Sequence, residues 1–198
     1  WGTIETLISY PAGEMGQPSE YERDPVQLGC VLVPAQAMEL SVSLGIVCKK
    51  RFPELHESYL KGEIRDCYEK VLEIRDYVIN YYFGSSFARI YWADTDWVKE
   101  NLSKIFCDDL WEETWGTYVS WGRPSPDGFK LLIEEKQYLK AANRIGEPSE
   151  KFKFGKEPEK GLVEHLMIGY FNEWIDYDHK VLQKFFEMAP AGLKAKAA

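Results

Sequence analysis

Apolar residues recur every three or four positions along most of this chain, and the clearest series lies near the middle. After Asp96 the apolar positions advance by steps of three, four and one, at Trp97, Val98, Leu102, Ile105 and Phe106. This spacing places them on one face of an amphipathic helix. We therefore predict a helix here, with Asp96 as its N-cap.

A second apolar series occupies residues 111–121, after the short polar turn at residues 107–109. Its members are spaced i, i+4, i+7 and i+8, at Trp111, Trp115, Tyr118 and Val119. Two aromatic-faced helices joined by a short turn are typical of an αα-hairpin. The pattern therefore predicts that these two helices pack against each other.

The C-terminal part repeats this arrangement. Residues 161–174 carry apolar side chains at intervals of four, at Leu162, Leu166, Tyr170 and Trp174. Residues 179–189 carry another apolar stripe, which ends before Pro190. We predict a second helical hairpin from these two stripes.

Residues that start or interrupt helices organise the N-terminal part. Asp24-Pro25 combine an N-cap acid with a proline at the first helical position, and a long apolar segment follows. Pro34 would kink or divide the buried helix that this segment predicts. A short strand at residues 31–33 is the alternative, because those residues favour β-structure.

Small residues and a strong start signal organise the middle part. Residues 76–94 predict a buried helix, and Gly84 with its small neighbours would let another helix approach closely. Ser125 and Pro126 form the clearest helix start in the chain, for a helix that Gly146 terminates.

Five segments follow from these signals. Residues 1–23 are the end of a preceding helix plus a linker, and residues 24–146 are a helical-repeat region. Residues 147–160, charged and with two prolines and a glycine, form a mobile loop. Residues 161–190 are the closing hairpin of the same domain, and residues 191–198 are a tail. The predicted class is all-α, with antiparallel helical hairpins stacked as a HEAT-like or irregular α-solenoid.

Charge and cysteine placement narrow the function classes. The 198 residues include 32 acidic and 24 basic side chains, for a net charge of −8. Nucleic-acid grooves need clustered Lys and Arg, so we expect no direct nucleic-acid contact. No apolar run reaches the roughly 18 residues that a membrane span needs. The cysteines form no CxxC pair, which argues against structural zinc and for reduced core residues in a cytoplasmic protein; they are Cys30, Cys48, Cys67 and Cys107.

The sequence contains no catalytic signature that we recognise. It lacks a P-loop, a GxGxxG turn and a GxSxG elbow. His165 lacks the HExxH partner of a zinc site, so we interpret it as a hydrogen-bonding residue within a helix interface. Adjacent acids are interpreted as solvated helix surface; the pairs are Asp108/Asp109, Glu112/Glu113 and Glu134/Glu135. We expect no catalytic, cofactor-binding or metal-binding residue, and no enzyme activity.

Tryptophan is concentrated in one stretch, because five of the seven tryptophans lie between residues 92 and 121. Tryptophans at helical spacing are more often core or partner interface than a ligand-stacking platform. We predict a partner surface that includes Trp92, Trp111, Trp115 and Trp121.

Several phrases of this sequence occur in the same order as in one known family. They are DPVQLGCVLVPAQAMEL, YYFGSSFARIYWADTDWVKENLSKIF, WEETWGTYVSWGRPSPDGFKLL and EHLMIGYFNEWID. Over most of residues 24–190 the chain resembles the C-terminal α-helical region of large bacterial STAND-type NTPases and related Sir2-associated proteins of anti-phage defence. It departs from the pattern at Val33-Pro34, where the family has Arg-Gly on a continuous helix.

The resemblance implies a non-catalytic helical-repeat module, a sensor or scaffold that contacts a protein partner or neighbouring domains of one longer chain. One alternative is the regulatory C-terminal region of a Sir2-type NADase effector. A self-contained enzyme with an unrecognised site is a second alternative. The family's nucleotide-binding or NAD-cleaving residues lie N-terminal to the matching region, so the resemblance assigns none of them to this segment.

Overall fold

A computed structural model describes most of the chain, in residues 2–8, 33–57, 61–74, 77–147 and 157–197. All regular secondary structure in these ranges is helical, which confirms the predicted all-α class. The predicted helix start at Asp24-Pro25, Cys30 and most of the predicted loop at 147–160 lie outside the described residues.

Twelve α-helices form within the described ranges. They are α1 (Gly2–Ile8), α2 (Val33–Arg51), α3 (Pro53–Leu55), α4 (Lys61–Ile74), α5 (Tyr77–Ala93), α6 (Thr95–Ile105), α7 (Trp111–Trp121), α8 (Pro126–Glu134), α9 (Gln137–Asn143), α10 (Pro158–Phe171), α11 (Lys180–Met188) and α12 (Ala191–Ala197). A 3-10 turn, Asp108–Leu110, precedes α7.

Six of these helices form a row in which each helix packs against the next. α1 packs on α2, α2 on α5, α5 on α7, α7 on α10 and α10 on α12, and the α5–α7 contact is the most extensive. The remaining helices lie beside this row, with α6 against α5 and α11 against α9. Neighbours in space are therefore often not neighbours in the sequence.

Both predicted hairpins are wrong in their packing partner. The helices at Thr95–Ile105 and Trp111–Trp121 exist, but they form no extensive contact with each other. The same is true of α10 and α11 in the C-terminal part. In each case the apolar stripe of the second helix faces a more distant part of the chain, α5 for α7 and α9 for α11.

Gly84 explains why α7 packs against α5. A Cβ atom at this position would overlap the carbonyl oxygen and carbon of Thr114 on α7 and the hydroxyl of Thr117. Only a glycine lets the two backbones approach this closely. The small-residue prediction for this helix is therefore confirmed at Gly84, and Ser86 is buried beside it.

Aromatic rings fill the space between the helices of the row. The ring centroids of Phe87 and Tyr118 are 5.4 Å apart in an edge-to-face arrangement, and Phe87 makes a similar contact with Phe106 at 5.4 Å. Trp115 contacts Tyr138 edge-to-face at 5.0 Å. Such pairs add to the free energy of burying the rings themselves, so this cluster is the centre of the core.

The helix expected from Ser125 to Gly146 is two helices. It begins as predicted, at Pro126, but Lys136 adopts a left-handed conformation with φ 60° and separates α8 from α9. In a continuous helix Tyr138 would lie about half a turn away from Phe129. The break turns Tyr138 inward, where its ring is 4.6 Å from that of Phe129.

Several helix ends also differ from prediction. Asp94, not Asp96, is the N-cap of α6, and its side chain accepts a hydrogen bond from the Trp97 N–H at 3.2 Å. Pro34 lies in the first turn of α2, a position that tolerates proline because the N–H groups there have no partner within the helix. Residues 191–197 form a helix where a tail was expected, because Leu193 is buried against the core.

Candidate functional site

A cavity of about 280 Å3 opens between α7, α9 and the start of α10. We call it the α7–α10 cavity. Its apolar wall consists of Trp111, Trp115, Ile145 and Leu162. Small-molecule sites begin at about 300 Å3, so this cavity is large enough for a single side chain or a small organic molecule.

The two tryptophans of this wall are held in fixed positions. Their rings stack with 5.6 Å between centroids and 7° between planes. The Trp111 Nε1–H donates a 2.8 Å hydrogen bond to Gln137 Oε1, and Trp115 rests edge-on against Tyr138. Both indoles are only 4 % exposed, so the wall is preorganised and does not require rearrangement to meet a ligand.

The charged wall of the cavity is dominated by carboxylates. Four glutamates line it against a single arginine, Arg144; they are Glu112, Glu147, Glu157 and Glu159. Arg144 is paired with Glu147 at 2.7 Å, and Glu157 accepts a 2.8 Å hydrogen bond from Lys160. Two of the four carboxylates are thus already matched by a cation of the chain.

The other two carboxylates form no ion pair among the described residues. Glu159 Oε1 accepts a 2.7 Å hydrogen bond from the Gly146 N–H. Glu112 is partly buried, and its Oε1 atom is shielded from solvent without a hydrogen-bond partner in the described part of the chain. A buried oxygen of this kind loses the hydrogen bonds that water would give it, which costs free energy.

Cations of the chain already lie on the aromatic wall. The Lys140 Nζ is 4.7 Å from the centroid of the Trp111 ring, and the Arg144 guanidinium carbon is 5.1 Å from it. Lys140 is also paired with Asp108 at 2.6 Å. The face of an indole attracts cations at such distances, so this wall is suited to guanidinium and ammonium groups.

The structure divides the four tryptophans of the predicted partner surface into two groups. Trp92 and Trp121 are 42 % and 48 % exposed. Trp111 and Trp115 are buried in the wall of the cavity and contribute little open surface. The Trp92 ring also carries two cations, since the Nζ atoms of Lys49 and Lys50 lie 5.0 and 5.5 Å from its centroid.

A second aromatic surface was not predicted from the sequence. Tyr170, Phe171 and Tyr177 lie at the end of α10 and in the following turn, and Phe171 and Tyr177 are 74 % and 72 % exposed. The Tyr170 ring lies 5.6 Å from Phe171 and 6.5 Å from Tyr177. We call these three residues the aromatic surface. One signal was available, because Tyr177 is an aromatic residue between two aspartates, in a turn where apolar side chains are rarely buried.

His165 confirms its predicted structural role. It is buried, its Nδ1 lies 3.0 Å from the hydroxyl of Tyr138, and its Nε2 lies 3.2 Å from the Gly122 carbonyl oxygen. The Tyr138 hydroxyl is in turn 3.0 Å from that of Tyr118. Burial raises the pKa of Tyr118 and of Tyr138 well above the ordinary value, so both hydroxyls stay protonated. This chain of hydrogen bonds joins α7, α9 and α10 inside the core.

One acid pair differs from its interpretation as solvated surface. Asp108, Asp109, Glu134 and Glu135 are exposed as expected. Glu113 is 2 % exposed, because it lies on the side of α7 that the rest of the row covers. The described residues contain no group of three or more His, Cys, Asp or Glu side chains that could hold a metal ion.

Cysteine and membrane expectations can be compared with the described ranges only. Cys48 and Cys67 are buried free thiols and Cys107 is a partly buried one. Every helix in these ranges is too short or too polar to cross a bilayer.

No family model, no curated protein and no solved structure matches this chain. The functional argument therefore depends on two features of this all-helical chain itself, the aromatic surface and the α7–α10 cavity.

Proposed function

We propose that this protein is a non-catalytic α-helical module that makes protein–protein contacts through the aromatic surface. The observation that carries the proposal is the grouping of Tyr170, Phe171 and Tyr177, two of them more than 70 % exposed. Exposed clusters of large apolar rings are uncommon on monomers, and aromatic residues are enriched at protein interfaces. Burying these rings against a partner removes apolar area from water without refolding the module.

Site-specific photo-crosslinking tests this proposal. A benzophenone amino acid at Phe171 is expected to give a discrete crosslinked protein in cells, while the same group at Glu135, an exposed polar position at the end of α8, gives none. The captured protein, once purified, should bind with an affinity that falls at least about tenfold when Phe171 and Tyr177 are both replaced by alanine. Equal crosslinking at both positions, or an unchanged affinity, contradicts the proposal.

The row of helices supports an irregular α-solenoid as the architecture of this module. In solenoids each repeat contacts its neighbours, so stacking proceeds in one direction along the chain. The order α1, α2, α5, α7, α10, α12 follows this rule, although the sequence has no regular period. An experimental structure in which successive helices of the row rotate in one sense would support this architecture, and a closed bundle would contradict it.

The proposed setting is a large bacterial defence protein, and it is supported by the resemblance of residues 24–190 alone. In that setting the module contacts a partner or neighbouring domains as a sensor or scaffold. The coding sequence upstream of Trp1 tests this directly. A P-loop segment there supports a STAND-type NTPase, a Sir2 segment supports the NADase alternative, and a sequence with neither contradicts both.

A further inference from the structure

We propose that the α7–α10 cavity binds a guanidinium group carried by an external ligand. The proposal does not depend on the aromatic surface, which lies at the other end of α10. Glu159 and Phe171 are separated by about 18 Å along the axis of that helix.

Charge is the first reason. Three cations near the cavity each have a carboxylate partner, as Lys140 has Asp108, Arg144 has Glu147 and Lys160 has Glu157. This leaves Glu112 and Glu159, both of which line the cavity and form no ion pair among the described residues. The cavity and its surroundings therefore carry an excess of about two negative charges, which a cationic ligand would neutralise.

The buried Oε1 atom of Glu112 is the second reason. It is shielded from solvent and accepts no hydrogen bond in the described part of the chain. A charged donor that enters the cavity would supply the missing hydrogen bond, and charge-assisted hydrogen bonds are about twice as strong as neutral ones. A neutral apolar ligand would leave this oxygen unsatisfied.

The aromatic wall favours guanidinium over ammonium. A guanidinium is planar and weakly hydrated, and it stacks on indole rings while its edge donates to carboxylates. Arg144 already shows this arrangement, with its guanidinium 5.1 Å from the Trp111 ring centroid and 2.7 Å from Glu147. The same walls, on the open side of the cavity, can hold a second guanidinium between indole and carboxylate.

The guanidinium can come from an arginine side chain of a partner protein or from a free small cation. N-acetyl-arginine amide represents the first source and agmatine represents the second. N-acetyl-citrulline amide is the matched neutral control, because a urea group replaces the guanidinium with almost no change of shape. Binding of each to the purified chain is measured by isothermal titration calorimetry and by the shifts of the indole N–H signals in NMR spectra.

We expect saturable binding of N-acetyl-arginine amide or of agmatine, and whichever binds more tightly identifies the source. The citrulline compound should bind at least about tenfold more weakly, because it lacks the charge. Glu112→Gln and Glu159→Gln should each weaken guanidinium binding about tenfold, while Glu135→Gln, outside the cavity, leaves it unchanged. Circular dichroism confirms that the variants are folded.

Three results would overturn the proposal. The first is equal affinity for the arginine and citrulline compounds, and the second is equal affinity of the Glu112→Gln, Glu159→Gln and Glu135→Gln variants. The third concerns the lysines of residues 148–156, which are Lys151, Lys153 and Lys156. Binding seen only after these are replaced by glutamine would show that the chain's own cations, and not an external ligand, occupy the cavity.

Discussion

Two groups of aromatic residues in this molecule have similar sequence patterns and different environments. Around α7 the rings of Phe87, Trp115 and Tyr138 are almost fully buried and contact one another edge-to-face. At the end of α10, Phe171 and Tyr177 are mostly exposed. Helical spacing of aromatic residues thus indicates a helix, but it does not decide whether a ring stabilises the core or forms an outer surface. The decision depends on which other helix covers that face.

The largest expected difference is between two Phe→Ala substitutions. Phe87→Ala removes a ring that is 1 % exposed and touches Phe106 and Tyr118, so we expect a loss of about 3–5 kcal/mol in the free energy of unfolding. Phe171→Ala removes a ring that is 74 % exposed, and we expect a change within about 0.5 kcal/mol. Urea unfolding followed by circular dichroism measures both. Similar losses in the two variants would show that the two aromatic groups do not differ as described.

The second effect tests what brings the buried rings together. Gly84→Ala places a methyl group against the backbone of Thr114, which cannot move aside as a flexible side chain would. We expect a loss of about 2–3 kcal/mol in the free energy of unfolding, in the upper part of the range for overpacking. Gly62→Ala is the matched control, because Gly62 lies in α4 with nothing within 4 Å of an added Cβ atom. That variant should gain up to about 1 kcal/mol from helix propensity. A neutral Gly84→Ala would mean that α5 and α7 are not in close backbone contact.

How much of this structure could be predicted follows from the range of the interactions that create it. The helices themselves were predictable, because the stripe from Trp97 to Phe106 and the proline start at Pro126 are local signals. Their partners were not, because the α5–α7 contact depends on Gly84 meeting Thr114 from a distant part of the chain. The left-handed Lys136 has no sequence signal that we can identify, yet it decides that Tyr138 is buried.

The candidate site was predictable only in part, for the same reason. Trp111 and Trp115 were named as functional residues, but as a surface and not as the wall of a cavity. The glutamates that complete the cavity come from separate helices, and no periodicity connects Glu112 with Glu159. The aromatic surface was missed because Phe171 continues an apolar stripe whose last turn extends beyond the core.

The third prediction concerns the polar anchor of α6, the helix that carries Trp97 into the core. Asp94 is 5 % exposed, and Arg65 donates to its carboxylate at 2.6 and 2.9 Å. Asp94→Asn keeps a good N-cap residue but weakens the contacts with Arg65. We expect a loss of about 1–2 kcal/mol in the free energy of unfolding at neutral pH. Asp108→Asn, at an exposed ion pair with Lys140, is the control and should change nothing measurable.

The pH dependence of the same pair has a definite sign. Burial alone would raise the pKa of Asp94, but the hydrogen bonds from Arg65 and the Trp97 N–H, with the charge of Arg65, outweigh it and lower the pKa below 3.8. The stabilisation is therefore fully present above the ordinary aspartate pKa and is lost as the pH falls through the lower folded-state value. The difference in unfolding free energy between wild type and Asp94→Asn should shrink as the solution is acidified into this range. A difference that stays constant with pH would exclude this role of the carboxylate.

The smallest expected effect returns to the comparison of the two aromatic groups, now through their hydroxyls. Tyr138→Phe removes a fully buried hydroxyl that lies 3.0 Å from both the Tyr118 hydroxyl and His165 Nδ1, while the ring and its packing remain. We expect a loss of about 1 kcal/mol in the free energy of unfolding, the net contribution of a buried hydrogen bond. Tyr177→Phe makes the same chemical change at a ring that is 72 % exposed, where water replaces the lost contact, so no measurable loss is expected. If both variants are equally stable, the hydrogen bonds joining α7, α9 and α10 contribute nothing net, and packing of the rings alone distinguishes the core from the aromatic surface.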